Sequence, residues 1–394
     1  MRVGIDATCW ANRRGYGRFT RGLLTALLQS DKKREYILFV DDHTHSLGDL
    51  PEQGECVVVP TSQSPTAAAS NSTRRSFADM WAMTRAVARC KLDTFFFPSV
   101  YTYFPTFTDA SIILGVHDVI AEDYPQLIFP DKKRRRLWEL KGWLAHKQAD
   151  FIMTVSEHAK GGIIRHFGHA PDKVFVIDEA ADPIFRPLTS AELNADLLAK
   201  YGLSIKDRFL LYLGGVNPHK NLVTLAECFA KLKGDERFSE LKLAIIGDIK
   251  SDGFTPGVTE LRRRIEELSL AGSVILTGYV ADQDAVHFLN VAKAVVLPSF
   301  AEGFGLPALE GAACGTPVIA TRNSPLPDLL AGGGIFVDPE QPQQLLSAMI
   351  QLLGDDMERH HMGQVAKQKA QKLTWLHSAD QMQSMLSLVE ESRS

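Results

Sequence analysis

The sequence predicts an α/β protein built from two Rossmann-like, doubly wound domains facing each other across a cleft. Three observations lead there. Short apolar runs rich in Val, Ile and Phe alternate with helix-length segments along the whole chain. Within most runs the apolar residues are consecutive, as in parallel strands covered on both faces. The runs also fall into two sets, separated by Ala180-Ala181-Asp182-Pro183-Ile184-Phe185-Arg186-Pro187, whose two prolines suit a linker. A length of 394 residues fits two domains.

In order, the first set of runs lies at 3–5, 36–40, 56–59, 94–97, 112–116, 151–155 and 174–177. The second lies at 209–213, 243–246, 274–276, 294–297, 318–320 and 335–337. Strands alternating with helices mean parallel sheets. The expected domains are 1–182 and 183–372, followed by 373–394 as a terminal helix crossing back to the first. Leu376, Ala379, Met382, Leu386 and Val389 give that helix its apolar stripe. The polar stretch 61–76 has no periodicity and reads as a surface loop.

Composition excludes several classes. The chain is 45% hydrophobic and 23% charged, which is globular rather than disordered or coiled-coil. No apolar run approaches the ~18 residues of a membrane span. The net charge of −4 does not suit a nucleic-acid binder. Five scattered cysteines, none in a Cys-x-x-Cys pair, argue against a disulfide framework or structural zinc. The opening Met1-Arg2-Val3-Gly4-Ile5-Asp6 reads as a strand, not a signal peptide, so a cytoplasmic location is expected. No Asp-x-Asp pair stands at a strand end and the histidines lack metal-ligand spacing. No essential metal and no resident cofactor are expected.

The most informative stretch is Ser299-Phe300-Ala301-Glu302-Gly303-Phe304-Gly305-Leu306-Pro307-Ala308-Leu309-Glu310. It follows a strand, and Pro307 suits the first turn of a helix. Residues 303–306 therefore form a loop entering a helix N-terminus, where backbone N–H groups and the helix dipole attract an anion such as a diphosphate. Glu302 stands before that loop, and Glu310 is placed in the helix's first turn. Carboxylates accept hydrogen bonds from sugar hydroxyls. A glycine turn with one capping and one solvated acid is the plainer alternative.

Glu-(seven residues)-Glu with an internal Gly-Phe-Gly-Leu-Pro resembles the retaining nucleotide-sugar glycosyltransferases of family 4, which have the GT-B fold. Gly15-Tyr16-Gly17-Arg18-Phe19 is similar to the family's N-terminal glycine loop, and Val116-His117-Asp118 to its strand-end histidine. Gly214-Gly215-Val216-Asn217-Pro218-His219-Lys220-Asn221 resembles its phosphate-lysine loop. Gly278-Tyr279-Val280 resembles its nucleobase loop, and Thr374-Trp375 the segment that crosses back. The resemblance implies that Glu302 holds a hydroxyl of the donor sugar. It implies that the N–H groups of Phe304, Gly305 and Leu306, with Gly303, hold the diphosphate. Glu310 would hold the ribose, Lys220 would neutralise the leaving diphosphate, and Tyr279 and Val280 would line the base pocket. Gly15, Gly17, Gly214 and Gly215 would complete the donor site; Tyr16 and Asp118 would face the acceptor, and His117, catalytic with Lys220 and Glu302, would face both the donor sugar and the acceptor.

One departure bears on the donor. Where most relatives carry an arginine five positions before the lysine, this chain has Gly215. A subset with a small residue there includes mannosyltransferases of bacterial surface-polysaccharide, including lipopolysaccharide, synthesis. The resemblance therefore implies transfer of mannose from GDP-mannose to a glycan or lipid-linked acceptor. Other donors such as UDP-glucose stay open, as does a non-catalytic sugar-binding module. Finally, Lys132, Lys133, Arg134, Arg135 and Arg136 open a helix N-capped by Asp131. Five cations there oppose the helix dipole. Contact with an anionic membrane at its inner face is one expectation; a solvated basic face with Leu137, Leu140 and Leu144 in the core is the other.

Overall fold

The structure is a computed structural model that describes residues 1–13, 15–63, 76–249 and 256–393. It divides into two compact units. One comprises Met1–Pro125, Phe129–Glu179 and Thr374–Ser394; the other comprises Gln126–Ile128 and Ala180–Leu373. The polar stretch expected to be a loop lies mostly outside the described residues; Ser62, still within them, donates its N–H to Asp79 Oδ1 at 2.9 Å.

Among the described residues the first unit holds seven strands: β1 (Arg2–Asp6), β2 (Glu35–Asp41), β3 (Glu55–Val59), β4 (Thr94–Phe97), β5 (Ser111–Gly115), β6 (Phe151–Thr154) and β7 (Val174–Val176). They form one sheet in the order β3-β2-β1-β4-β5-β6-β7. Every pair is parallel. The chain grows outward from β1 to β3 and then returns to place β4 on the other side of β1. Ligands of such sheets bind outside the strand ends at this reversal.

One face of the sheet packs a core of Phe39, Phe95, Phe97, Phe104 and Ile152 against the helices Phe77–Arg89, Lys132–Gln148 and Glu157–Phe167. The helix Gly15–Ser30 pairs with the terminal helix Trp375–Glu391. A Cβ on Gly22 would come within 2.2 Å of the Trp375 ring, so this crossing needs a glycine. The terminal helix buries Ala379, Met382, Met385, Leu386 and Val389. Leu376, expected on that stripe, is exposed instead.

Among the described residues the second unit holds six strands: β8 (Phe209–Leu213), β9 (Lys242–Ile246), β10 (Val274–Gly278), β11 (Ala294–Leu297), β12 (Val318–Thr321) and β13 (Gly334–Val337). Their order is β10-β9-β8-β11-β12-β13, again all parallel. The reversal falls between β8 and β11, which pair through Ala294 with Leu210 and Val295 with Leu211. All thirteen runs expected as strands are strands, to within two residues at each end. The expected linker is shorter than 180–187, because Phe185 is buried in the second unit's core with Phe209, Leu211 and Phe288.

Candidate functional site

In the second unit, the segments leaving β8 and β11 meet at the sheet's reversal. After β8 the chain passes Gly214 and Gly215 and makes a tight turn at Pro218–Lys220. Asn221 follows in the left-handed region (φ 58°) and donates from Nδ2 to Pro298 O at 3.2 Å and Pro339 O at 3.3 Å. That residue clips the turn to the ends of two other strands. After β11, Phe300 donates its N–H to His219 O at 2.9 Å, and Glu302 donates its own to Asn323 O at 3.0 Å. Both loops are therefore held by backbone hydrogen bonds, and the side chains they carry are aimed rather than free.

The result is a charged contact between two residues 82 positions apart. Lys220 Nζ lies 2.7 Å from Glu302 Oε1. Ser299 Oγ donates to the same oxygen at 2.5 Å. The lysine side chain is 18% exposed and the glutamate 9%. Such a pair is screened from most bulk water yet reachable by a ligand. Behind it, burial first and the Lys220 charge second push the His219 pKa down to about 3, so that ring is neutral at ordinary pH. Tyr212 is fully buried and donates from its hydroxyl to Gly215 O at 2.6 Å, which braces the glycine loop.

Gly305 caps the helix Leu306–Ala313 in the left-handed region (φ 97°). An added Cβ would come within 2.8 Å of Leu326 Cδ1, so only glycine fits there. No side chain caps this helix. The N–H groups of its first turn point out of the helix end, the geometry that holds anions. Phe304 and Leu306 are buried, so they meet the loop through backbone alone. Glu310 is the fifth residue of the helix, not part of its first turn, and is buried.

The remaining expected residues are placed differently. Tyr279 is exposed and follows the left-handed Gly278, the last residue of the edge strand β10. Val280 is buried in the hydrophobic core with Ala285 and Val286. In the first unit, Gly15 and Gly17 belong to the first turn of the helix Gly15–Ser30 and not to a loop. Gly17 is required because a Cβ would sit 1.8 Å from Asn12 O. Tyr16 stacks on Tyr101 with ring centroids 5.4 Å apart and takes a hydrogen bond from Asn12 Nδ2 at 2.5 Å. Asp118 Oδ1 accepts from Ile120 N at 3.0 Å.

His117 follows β5 with both ring nitrogens engaged. Nε2 donates to Pro98 O at 2.8 Å, and Nδ1 lies 3.4 Å from Glu179 Oε1. Burial, the largest influence, pulls its pKa down, but the Glu179 hydrogen bond and charge, helped by the Pro98 carbonyl, leave it above the ordinary histidine value. Both ring nitrogens are thus held by their partners, which fixes the ring's orientation.

Sequence reasoning missed Ser299, His219, Tyr212 and Glu179. The Ser299-x-x-Glu302 spacing was available as a signal; nothing in sequence joins Glu179 to His117, 62 positions earlier.

Comparisons with known proteins bear on this arrangement. Residues 14–183 match the family described as Glycosyltransferase Family 4, and residues 195–369 match Glycosyl transferases group 1. The chain belongs to glycosyltransferase family 4. It is 29% identical over 259 residues to O-antigen chain mannosyltransferase B of Escherichia coli, covering 66% of this chain and 65% of that protein. It is 27% identical over 258 residues to D-inositol 3-phosphate glycosyltransferase of Corynebacterium glutamicum (strain R), covering 65% of this chain and 60% of that protein. The chain thus spans somewhat under two thirds of the curated relatives it matches. Among solved structures, HepE of Anabaena in complex with UDP-glucose superposes with a TM-score of 0.74 at 16% identity, over 98% of this chain and 99% of that one. This family 4 member has the GT-B type of fold, with two Rossmann-like domains.

Proposed function

We propose that this chain is a retaining glycosyltransferase that moves a hexose, mannose from GDP-mannose, to a glycan or lipid-linked acceptor. The Lys220–Glu302–Ser299 contact beside the uncapped helix at Gly305 carries this reading. Displacement of a nucleoside diphosphate puts growing negative charge on the leaving phosphate. Preorganised positive groups aimed at that charge are usually the largest catalytic contribution. Lys220 and the helix N-terminus supply them without a metal, and no metal or resident cofactor enters the reading. Lys220 and Ser299 both bond Oε1 of Glu302, which leaves Oε2 for a sugar hydroxyl. Glu310 takes the ribose, and Tyr279 meets the base.

No carboxylate in this reading acts as a covalent nucleophile. An oxygen of the leaving phosphate takes the acceptor's proton, so attack and departure share one face of the sugar. His117, with both nitrogens engaged, positions its neighbours and moves no proton. The choice of mannose is supported by Gly215, which replaces the family's usual arginine, and by the likeness to an O-antigen mannosyltransferase. Gly215 also leaves diphosphate neutralisation more dependent on Lys220. The enzyme is proposed to act in the cytoplasm, with peripheral contact at an anionic membrane.

A thermal-shift panel of GDP, UDP, ADP and dTDP with their sugars tests the reading. A ligand at 100 times its Kd adds ~2.7 kcal/mol of stability. GDP and GDP-mannose should raise Tm most, in chelator as well as without it. A shift with UDP compounds alone would move the donor to that class, and no shift with any nucleotide would overturn the proposal.

A further inference from the structure

The helix Lys132–Gln148 is built inside out for a core helix. Of its 17 residues only Ala145 is buried. Asp131 caps it, accepting from Arg134 N at 2.8 Å. Its inward side is made by Trp138, which donates from Nε1 to Glu122 Oε1 at 2.9 Å, by Ala145, and by Gln148. At 3.6 residues per turn, the opposite side is a single stripe. Lys132, Lys133 and Arg136 occupy its first part and Lys147 its end, and no carboxylate pairs with these four among the described residues. Between them stand Leu137, Leu140, Trp143 and Leu144, which are 51%, 55%, 56% and 40% exposed. The leucines expected in the core are on the surface.

Two more exposed aromatic side chains lie beyond the end of the helix. Thr106 donates its N–H to Gln148 Oε1 at 3.1 Å, tying the neighbouring segment to the last turn. Next to it, exposed Phe107 packs edge-on against exposed Trp81, centroids 6.1 Å apart. Trp81 belongs to the helix Phe77–Arg89, which covers the same face of the sheet.

We propose that this outer face is a dock for the surface of an anionic phospholipid leaflet. The charge pattern argues for it. Cations crowded into the first turn oppose the helix dipole, and an anionic partner removes that penalty. The stripe carries no acid, so a second copy would bring cations against cations. Leucines and tryptophan flanked by Lys and Arg suit a helix lying in the interfacial plane, apolar side in the acyl boundary and cations at the headgroups. The proposal rests on the transferase reading only in its benefit, since a lipid-linked acceptor would be met there; its test needs no transfer.

Sedimentation of the full chain with vesicles decides. Binding is expected to vesicles of about one-third phosphatidylglycerol, to be weak with phosphatidylcholine alone, and to fall in high salt because the charges are screened. The triple variant K132Q/K133Q/R136Q should partition about 100-fold less well. Brominated acyl chains should quench tryptophan fluorescence in the wild type, and much less in Trp143→Phe. These are exposed positions, so circular-dichroism melts of the triple variant should match the wild type or lie slightly higher, because fewer cations oppose the helix dipole. Equal binding to both vesicle types, binding to neither, or binding to polyglutamate without vesicle binding would overturn the dock. Transfer to a water-soluble acceptor should survive the triple variant. Its absence in the wild type would count against the transferase reading and not against the dock.

Discussion

Lys220→Ala is the sharpest test of the site, because it should register in stability and in catalysis by separate physical routes. In the resting protein the lysine ammonium sits 2.7 Å from a glutamate whose side chain is 9% exposed. Truncation leaves that carboxylate in its pocket with only the Ser299 hydroxyl. Removing one partner of a fully buried pair costs about 3–5 kcal/mol. A hydrogen bond to a charged group is worth about 1.5–3 kcal/mol. With the lysine side 18% open to water, the lower range applies, so urea denaturation at pH 7 should show a loss of about 1–3 kcal/mol. Adding Glu302→Gln removes the stranded charge while keeping an oxygen for Ser299. The double variant should recover part of the loss, a coupling of about 1 kcal/mol or more. Turnover with saturating donor should fall ~10²–10³-fold in Lys220→Ala, because a preorganised charge at the leaving phosphate is gone. A folded Lys220→Ala protein with wild-type turnover, or strict additivity of the two substitutions, would refute the reasoning.

Two further outcomes follow from the same geometry. The folded pKa of His117 is raised, so its contribution to stability is full below the unfolded value and is lost as pH rises through the folded value. In an NMR titration, Glu179→Gln should move the His117 pKa downward, since burial stays and the charge that outweighed it goes. An unchanged titration would remove Glu179 from that role. Gly305→Ala should cost about 1–2 kcal/mol from the left-handed backbone alone, with more from the Leu326 contact, and should weaken nucleotide binding in the thermal-shift panel. A neutral effect on both would mean that the loop relaxes freely.

The strands and their two sets were legible because burial on both faces of a parallel sheet leaves a local record: consecutive Val, Ile and Phe between turns. The glycine at 305 was legible for a similar reason, as it sits in a short pattern that ends in Pro307 and a helix. Gly17 shows the limit of such a reading. Its Gly-x-Gly looks like a phosphate loop in one dimension, but the glycine serves a close helix start against Asn12 O. Val280 shows the same limit, since a residue beside a loop tyrosine can still turn into the core.

What the sequence by itself determined is the α/β class, the alternation of elements and the identity of the charged residues at the ends of β8 and β11. Those depend on local periodicity and on residue chemistry, which the chain carries in order. Tertiary structure alone decided which of those residues touch. Lys220 meets Glu302 only because β8 and β11 are neighbours in the sheet while 82 residues separate the two side chains. It also decided that the leucines of the helix Lys132–Gln148 face out, because sequence spacing defines a stripe but not the side on which the sheet will lie.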